Sequence, residues 1–372
     1  MDAVLLGART GRIPIHRVMT QPRNNEGNFV RAAQLPSLGS DLEIVEVPDP
    51  TPGPGEVVVR IAASGVCQSE LTIQQGGPGM PPTPYFPWTP GHENTGFVHA
   101  LGAGVTGLAV GDAVAVWPGW GDGTCRVCRA GHEHVCPNVS YVGVTQPGGW
   151  ADYLLVLAAR HLVSLGDLDP VAAAPLTDAG LTAYGAVAKV LERLTGSDRS
   201  VGIIGAGGLG QFAIKYLAAL TSATIVAIDT DEAKRAHALD IGAALSVDPT
   251  TDDAIPQLQN VSEGGLGLDA VIDFVGIDST LGLAAATTVA CGAIILVGIG
   301  GGTLDFGYTN PNQQVQVSTS SLGSRADLAT VIELWKEHGI NAETTRYGLD
   351  EVNDALRDLA AHKIGERAVL VL

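Results

Sequence analysis

The stretch from Val201 to Asp229 constrains this chain most. An apolar run, Val201 to Ile204, meets three glycines spaced G-x-G-x-x-G at Gly205, Gly207 and Gly210. A helical pattern follows at once, with Phe212, Ile214, Tyr216 and Leu217 spaced to pack back on a sheet. A second apolar run, Thr224 to Ile228, ends on the acid Asp229. The order is strand, tight turn, helix, strand, acid. Gly205 permits the sharp turn, Gly207 lets the backbone approach a pyrophosphate, and Gly210 lets helix and strand pack closely. Gly208 and Leu209 complete the loop, and the helix N-terminus offers unpaired N–H groups to phosphates. Asp229, nineteen residues past Gly210, stands where an acid hydrogen-bonds the ribose hydroxyls of an adenosine. The unit predicts dinucleotide binding. A carboxylate would repel the 2′-phosphate of NADP, and Thr230 and Asp231 add no arginine to accept it, so NAD is the expected cofactor.

Around that unit, 372 residues are long for a single core, and 45% hydrophobic content is enough for two. A net charge of −18 leaves no basic surface for nucleic acid or an anionic membrane. No apolar run approaches the ~20 residues of a membrane span. The apolar start, Ala3 to Leu6, is too short for a secretory core and is followed by Arg9 and Arg12. Five cysteines, three of them clustered, suggest a metal in a reducing compartment, hence the cytoplasm, rather than a disulfide framework.

Residues 1–28 carry four arginines and little periodicity and are expected to be an extension, with Met19 an alternative start. Strand-like runs follow at Leu42 to Val47, Glu56 to Ala62, Gly96 to Ala100 and Ala113 to Trp117, separated by glycine-rich turns. They predict a β-rich, barrel-like domain. Alanine-rich helix follows, at Ala172 to Ala174 and Leu181 to Leu194. Alternating strands and helices, with strands at Ala270 to Val275 and Ala293 to Val297, predict a doubly wound parallel sheet. A helix at about Asp327 to Glu337 and a strand at Ala368 to Leu372 close the chain.

Ligand-type residues stand in three turns: Cys67 in Gly65-Val-Cys-Gln-Ser-Glu70, His92 in Gly91-His-Glu-Asn94, and Asp178 in Pro175-Leu-Thr-Asp-Ala-Gly180. Singly, a cysteine also fits core packing and an aspartate before a helix also fits an N-cap. Together with Gly102 to Asp112, Leu176 to Tyr184 and the Gly205 loop, they make residues 29 to 372 resemble the zinc-dependent medium-chain alcohol dehydrogenases.

The resemblance implies an α/β protein with a β-rich GroES-like catalytic domain (29–178 and 325–372) and a Rossmann NAD-binding domain (179–324). It implies that Cys67, His92 and Asp178 bind a catalytic Zn²⁺ with its fourth position open to an alcohol. Many members have cysteine where Asp178 stands. An aspartate there resembles microbial enzymes acting on secondary alcohols. Ser69 matches the hydroxyl that relays the substrate's proton, and Glu70 the acid that orients His92. Glu93 lies beside the metal in that family, as a passing ligand or a plain structural carboxylate. Arg367 matches an arginine on the pyrophosphate, Lys234 a lysine near the ribose, and Val275, Gly276, Gly298 and Ile299 the nicotinamide side. Gln68 replaces a basic residue of many relatives.

The segment Trp120 to Cys136 resembles the family's structural zinc lobe, with Asp122 in place of the first of four cysteines and Cys125, Cys128 and Cys136 retained. His132 or His134 could also supply the fourth ligand. Cys291, in an apolar run, is expected in the core. Thr72, Phe86, Trp88, Trp117 and Leu322 are candidate walls of a roomy pocket. The implied partners are a small alcohol or ketone and copies of the chain, as a homodimer or homotetramer touching near Ile294 to Gly300. A polyol, sugar or aldehyde-specific dehydrogenase on the same scaffold and a non-catalytic dinucleotide-binding protein are the alternatives.

Overall fold

The computed structural model describes residues 27–76, 86–196 and 198–372, so most of the expected N-terminal extension lies outside the described residues. The first of two main sheets is built on Val57–Val66, whose β-branched Val57, Val58, Val59 and Ile61 suit an extended backbone covered on both faces. Its N-terminal half lies between Asn94–Leu101 and Tyr153–Val156, and its C-terminal half pairs with Arg367–Val371, all antiparallel. Ala113–Val116 and Leu162–Ser164 extend one side, and Thr344–Gly348 the other. The chain's last strand thus returns to its first half, with Ala368 opposite Val66. That register brings Arg367 beside Cys67.

The second sheet has six parallel strands in the spatial order Leu245–Val247, Thr224–Ile228, Ser200–Ile204, Leu268–Asp273, Thr288–Leu296, Gln316–Thr319. Strand order reverses between Ser200–Ile204 and Leu268–Asp273, where the carboxyl ends of a doubly wound sheet open a ligand crevice. The helix Gly210–Leu220 lays Phe212, Ile214, Tyr216 and Leu217 on this sheet, all fully buried as their spacing predicts. Ala179–Val187 packs on the same cluster through Ala179, Ala183 and Ala186. Arg325–His338 joins the two cores, sending Val331 and Leu334 into the second and Leu328 and Ile332 into the first. Ser324 caps its start, and Gly339, at φ +69°, ends it.

Three expectations need correction. The helix predicted over Leu181 to Leu194 stops at Val187 and resumes as a 3-10 turn at Leu191–Leu194. The run Ile294 to Gly300 does not supply a sheet edge, because Gln316–Thr319 pairs outside it; that strand is too polar to read as one. Cys291 is exposed, with a left-handed φ of 64°, rather than in the core.

Candidate active site

Cys67 closes the central strand and stands at the N-cap of Gln68–Gln74; His92 lies in the turn before Asn94–Leu101; Asp178 breaks the chain between a 3-10 turn and Ala179–Val187. Donor atoms of Cys67, His92, Glu93 and Asp178 lie within 4.8 Å of one another. Asp178 Oδ2 is 3.2 Å from His92 Nε2 and 4.0 Å from Cys67 Sγ. Tetrahedral zinc separates its sulfur, nitrogen and oxygen donors by roughly 3.4–3.6 Å, so this set fits one ion with small shifts.

The surrounding bonds decide which atoms face inward. Glu70 Oε1 lies 2.5 Å from His92 Nδ1, leaving Nε2 toward the cluster, and Glu70 Oε2 accepts the Cys67 N–H at 3.0 Å. Thr182 donates to Asp178 Oδ1 at 3.0 Å, leaving Oδ2 toward the centre. Ser69 Oγ lies 3.4 Å from His92 Nε2.

Burial opposes charge on His92, but the carboxylates of Glu70 and Asp178 outweigh it and raise its pKa well above the usual value. Burial would also raise Asp178, yet the hydrogen bond and charge of His92 hold it low. The cluster therefore stabilises a positive charge at its centre, whether a proton or a metal cation carries it.

Glu93 is fully buried and ion-paired with Arg367, and its Oε2 has no partner among the described residues. Burial pushes Glu93 up to about 7 despite the guanidinium. An orphaned buried oxygen so close to the ligand atoms suits a site built to hold a cation.

Gly205 turns at φ +86°, and a Cβ on Gly210 would sit 1.9 Å from the Gly205 carbonyl oxygen. A Cβ on Gly207 would meet nothing within 4 Å, and one on Gly208 would meet Arg367 Nη1 at 2.9 Å. Arg367 thus touches the glycine loop on one side and Glu93 on the other. Leu209 stands at the N-cap of Gly210–Leu220. Asp229 braces the loop, accepting the Ala206 N–H and the Asp231 N–H, each at 2.9 Å. Lys234 is half-buried on the helix after Asp229 and Gln68 is exposed at the start of its own. Gly298 packs against the Val275 backbone, Val275 lies against Gly205, and Ile299 is 56% exposed on the same rim.

Two residues here escaped the sequence reading. Arg235 donates to the Asp229 carbonyl at 2.7 Å and pairs with Asp248 at 3.3 Å. Asp273 is fully buried and accepts the N–H groups of Val275 and Gly276 at 2.8 and 3.0 Å. An acid ending an apolar strand, the pattern that marked Asp229, was its available signal.

Asp122, Cys125, Cys128 and Cys136 also converge within 4.8 Å. Cys125 Sγ is 3.5 Å from Cys128 Sγ and 3.7 Å from Cys136 Sγ, and Cys128 Sγ is 3.3 Å from Asp122 Oδ1. These spacings suit a tetrahedral ion. Hydrogen bonds from Asn138, Thr124 and Cys125 hold the Asp122 carboxyl well below the usual range. Burial and the neighbouring thiols push Cys128 up to about 12. His132 and His134 are not in the cluster; the His134 ring turns edge-on to Trp117. Of the candidate pocket walls, Trp88 packs with Leu35 and Trp150, and Trp117 packs with Val116 and donates to the Gly323 carbonyl beside Leu322.

Residues 53–167 match the alcohol dehydrogenase GroES-like domain, and residues 208–337 match the zinc-binding dehydrogenase domain. An NAD-dependent alcohol dehydrogenase of Sulfurisphaera tokodaii is 33% identical over 351 residues, covering 92% of this chain and all of the relative. The alcohol dehydrogenase of Aeropyrum pernix superposes with a TM-score of 0.83 at 34% identity, covering 92% of this chain and 100% of that one. The D-arabinose dehydrogenase of Sulfolobus solfataricus gives 0.82 at 31%, covering 93% and 100%. The β-rich lobe and the doubly wound sheet are those of a medium-chain dehydrogenase. The chain belongs to the zinc-dependent alcohol dehydrogenases of that family.

Proposed function

We propose that this oxidoreductase interconverts secondary alcohols and ketones, using zinc and NAD. The observation that carries the reading is the position of Arg367, in contact with both Glu93 at the donor cluster and Gly208 of the glycine loop. A metal half and a dinucleotide half separated by one side chain suit hydride transfer between a coordinated substrate and a nicotinamide. Zinc held by Cys67, His92 and Asp178 would supply a Lewis acid that polarises the substrate oxygen and lowers its pKa.

The protein's own groups do the rest. Ser69 can accept the substrate's proton and donate its own outward, and Glu70 and Thr182 fix the donors it works beside. The loop from Gly205 to Gly210 offers N–H groups to a pyrophosphate, with Arg367 adding charge. Asp229 favours NAD, and the nearby Arg235 is already engaged by Asp248. Lys234 would reach the ribose, and Val275, Gly298 and Ile299 would line the nicotinamide. Asp122, Cys125, Cys128 and Cys136 would hold a second, structural zinc.

The chain divides into 29–178 with 325–372 and 179–324, and acts in the cytoplasm. No helix among the described residues is long and apolar enough to cross a membrane. Copies would associate through Gln316–Thr319, an exposed sheet edge, with Phe306 and the 87% exposed Tyr308 on the segment that precedes it.

The test is initial rates with NAD and with NADP on 2-alkanols, arylethanols, cyclic alcohols, ethanol and D-arabinose. The fastest turnover should come from a secondary alcohol with NAD. Highest kcat/KM on ethanol or D-arabinose, or a preference for NADP, overturns the substrate or the cofactor part.

A further inference from the structure

Glu366 precedes Arg367 and points away from it, toward the dinucleotide half. Lys215 Nζ lies 3.0 Å from each of its carboxylate oxygens, His237 Nε2 2.8 Å from Oε1, and the Glu343 N–H donates to Oε2 at 2.7 Å. Lys215 also donates to the Asn341 carbonyl at 2.8 Å, and Gln211 to the Glu366 carbonyl at 3.4 Å. Exposed pairs contribute little to stability, but these side chains are 9% exposed at Glu366 and 16% at Lys215, and the contact is bidentate.

The elements it joins give the cluster its meaning. Lys215 and Gln211 lie on Gly210–Leu220, the helix that begins at the last glycine of the loop, and His237 lies on Glu232–Asp240, just after Asp229. Glu343 precedes Thr344–Gly348 of the first sheet. One carboxylate therefore ties both helices beside the cofactor loop to the strand whose first residue, Arg367, pairs with Glu93. Nothing in the reaction itself calls for Glu366, which touches neither donor cluster nor loop.

We propose that Glu366 is a positioning residue: with Lys215 and His237 it holds the glycine-loop helix against the strand carrying Arg367, and so sets the distance between the cofactor and the donor cluster. This rests on the reading of the loop as an NAD site. Displacements of about 1 Å at a reacting pair can cost 10²-fold in rate, so a link this direct should be visible in kinetics.

Glu366→Gln keeps the shape and removes the charge. In the zinc-loaded full-length enzyme, NADH fluorescence titration should give a Kd raised about tenfold, and kcat at saturating NAD should fall by a similar factor, with zinc content unchanged. Lys215→Met should reproduce both changes, Lys215→Arg should restore most of the affinity, and the Glu366→Gln/Lys215→Met double variant should be no worse than either single one. A lowered Tm with wild-type Kd and kcat in Glu366→Gln, or in Lys215→Met if the first does not fold, overturns the proposal. Absence of NADH binding by the wild type would sink the cofactor reading instead.

Discussion

Glu70 stands behind His92, its Oε1 2.5 Å from Nδ1, while its other oxygen takes the Cys67 N–H. One buried carboxylate thus fixes the ring of one donor and the backbone of another. Glu70→Gln should lower zinc affinity about 10- to 100-fold, the range for loss of a carboxylate behind a ligating histidine. Competition against a chromophoric chelator measures it. Unchanged affinity would mean that the orientation of His92 is set elsewhere.

The glycines of the loop make a contrasting pair. A methyl at Gly210 collides with the Gly205 carbonyl and should destabilise the fold by about 1–3 kcal/mol or more. A methyl at Gly207 meets open space, so Gly207→Ala should unfold in urea like the wild type but bind NADH weakly. If Gly207→Ala keeps full cofactor affinity, the pyrophosphate does not approach that backbone.

His161 predicts an acid limb of stability. It lies between Trp117 and Trp120, stacked on the latter at 5.4 Å, with Nδ1 unpartnered among the described residues. Burial, then the charges of Arg160 and Arg325, lower its pKa to about 3, against about 6.5 in the unfolded chain. Above pH ~6.5 the ring is neutral in both states and contributes no pH dependence. Between about 6.5 and 3 the unfolded chain binds a proton that the native protein refuses, so stability falls as pH falls, by up to about 1.4 kcal/mol per unit from this group. Urea unfolding of the wild type and His161→Phe from pH 7 downward should diverge, the wild type falling more steeply. Parallel curves would contradict it.

Much of this was legible because the chemistry sits in short, contiguous motifs. The Gly205 unit carries its strand, turn, helix and acid within thirty residues, and Cys67, His92 and Asp178 each sit in a recognisable turn. What was hidden depends on contacts distant in sequence. Glu93 and Arg367 are 274 residues apart, and Lys215 and Glu366 are 151 apart; no local pattern pairs them. Cys291 misled because an apolar run says nothing of the left-handed turn that exposes it, and Gln316–Thr319 escaped because an edge strand needs no apolar face.

Cys67, His92 and Asp178 together would hold the metal on which turnover depends. Metal analysis with steady-state kinetics on Asp178→Ala tests it most directly. The wild-type chain should carry two zinc ions and the variant chain one, with alcohol oxidation lost and the fold intact. Two zinc ions per variant chain with wild-type kcat would contradict it.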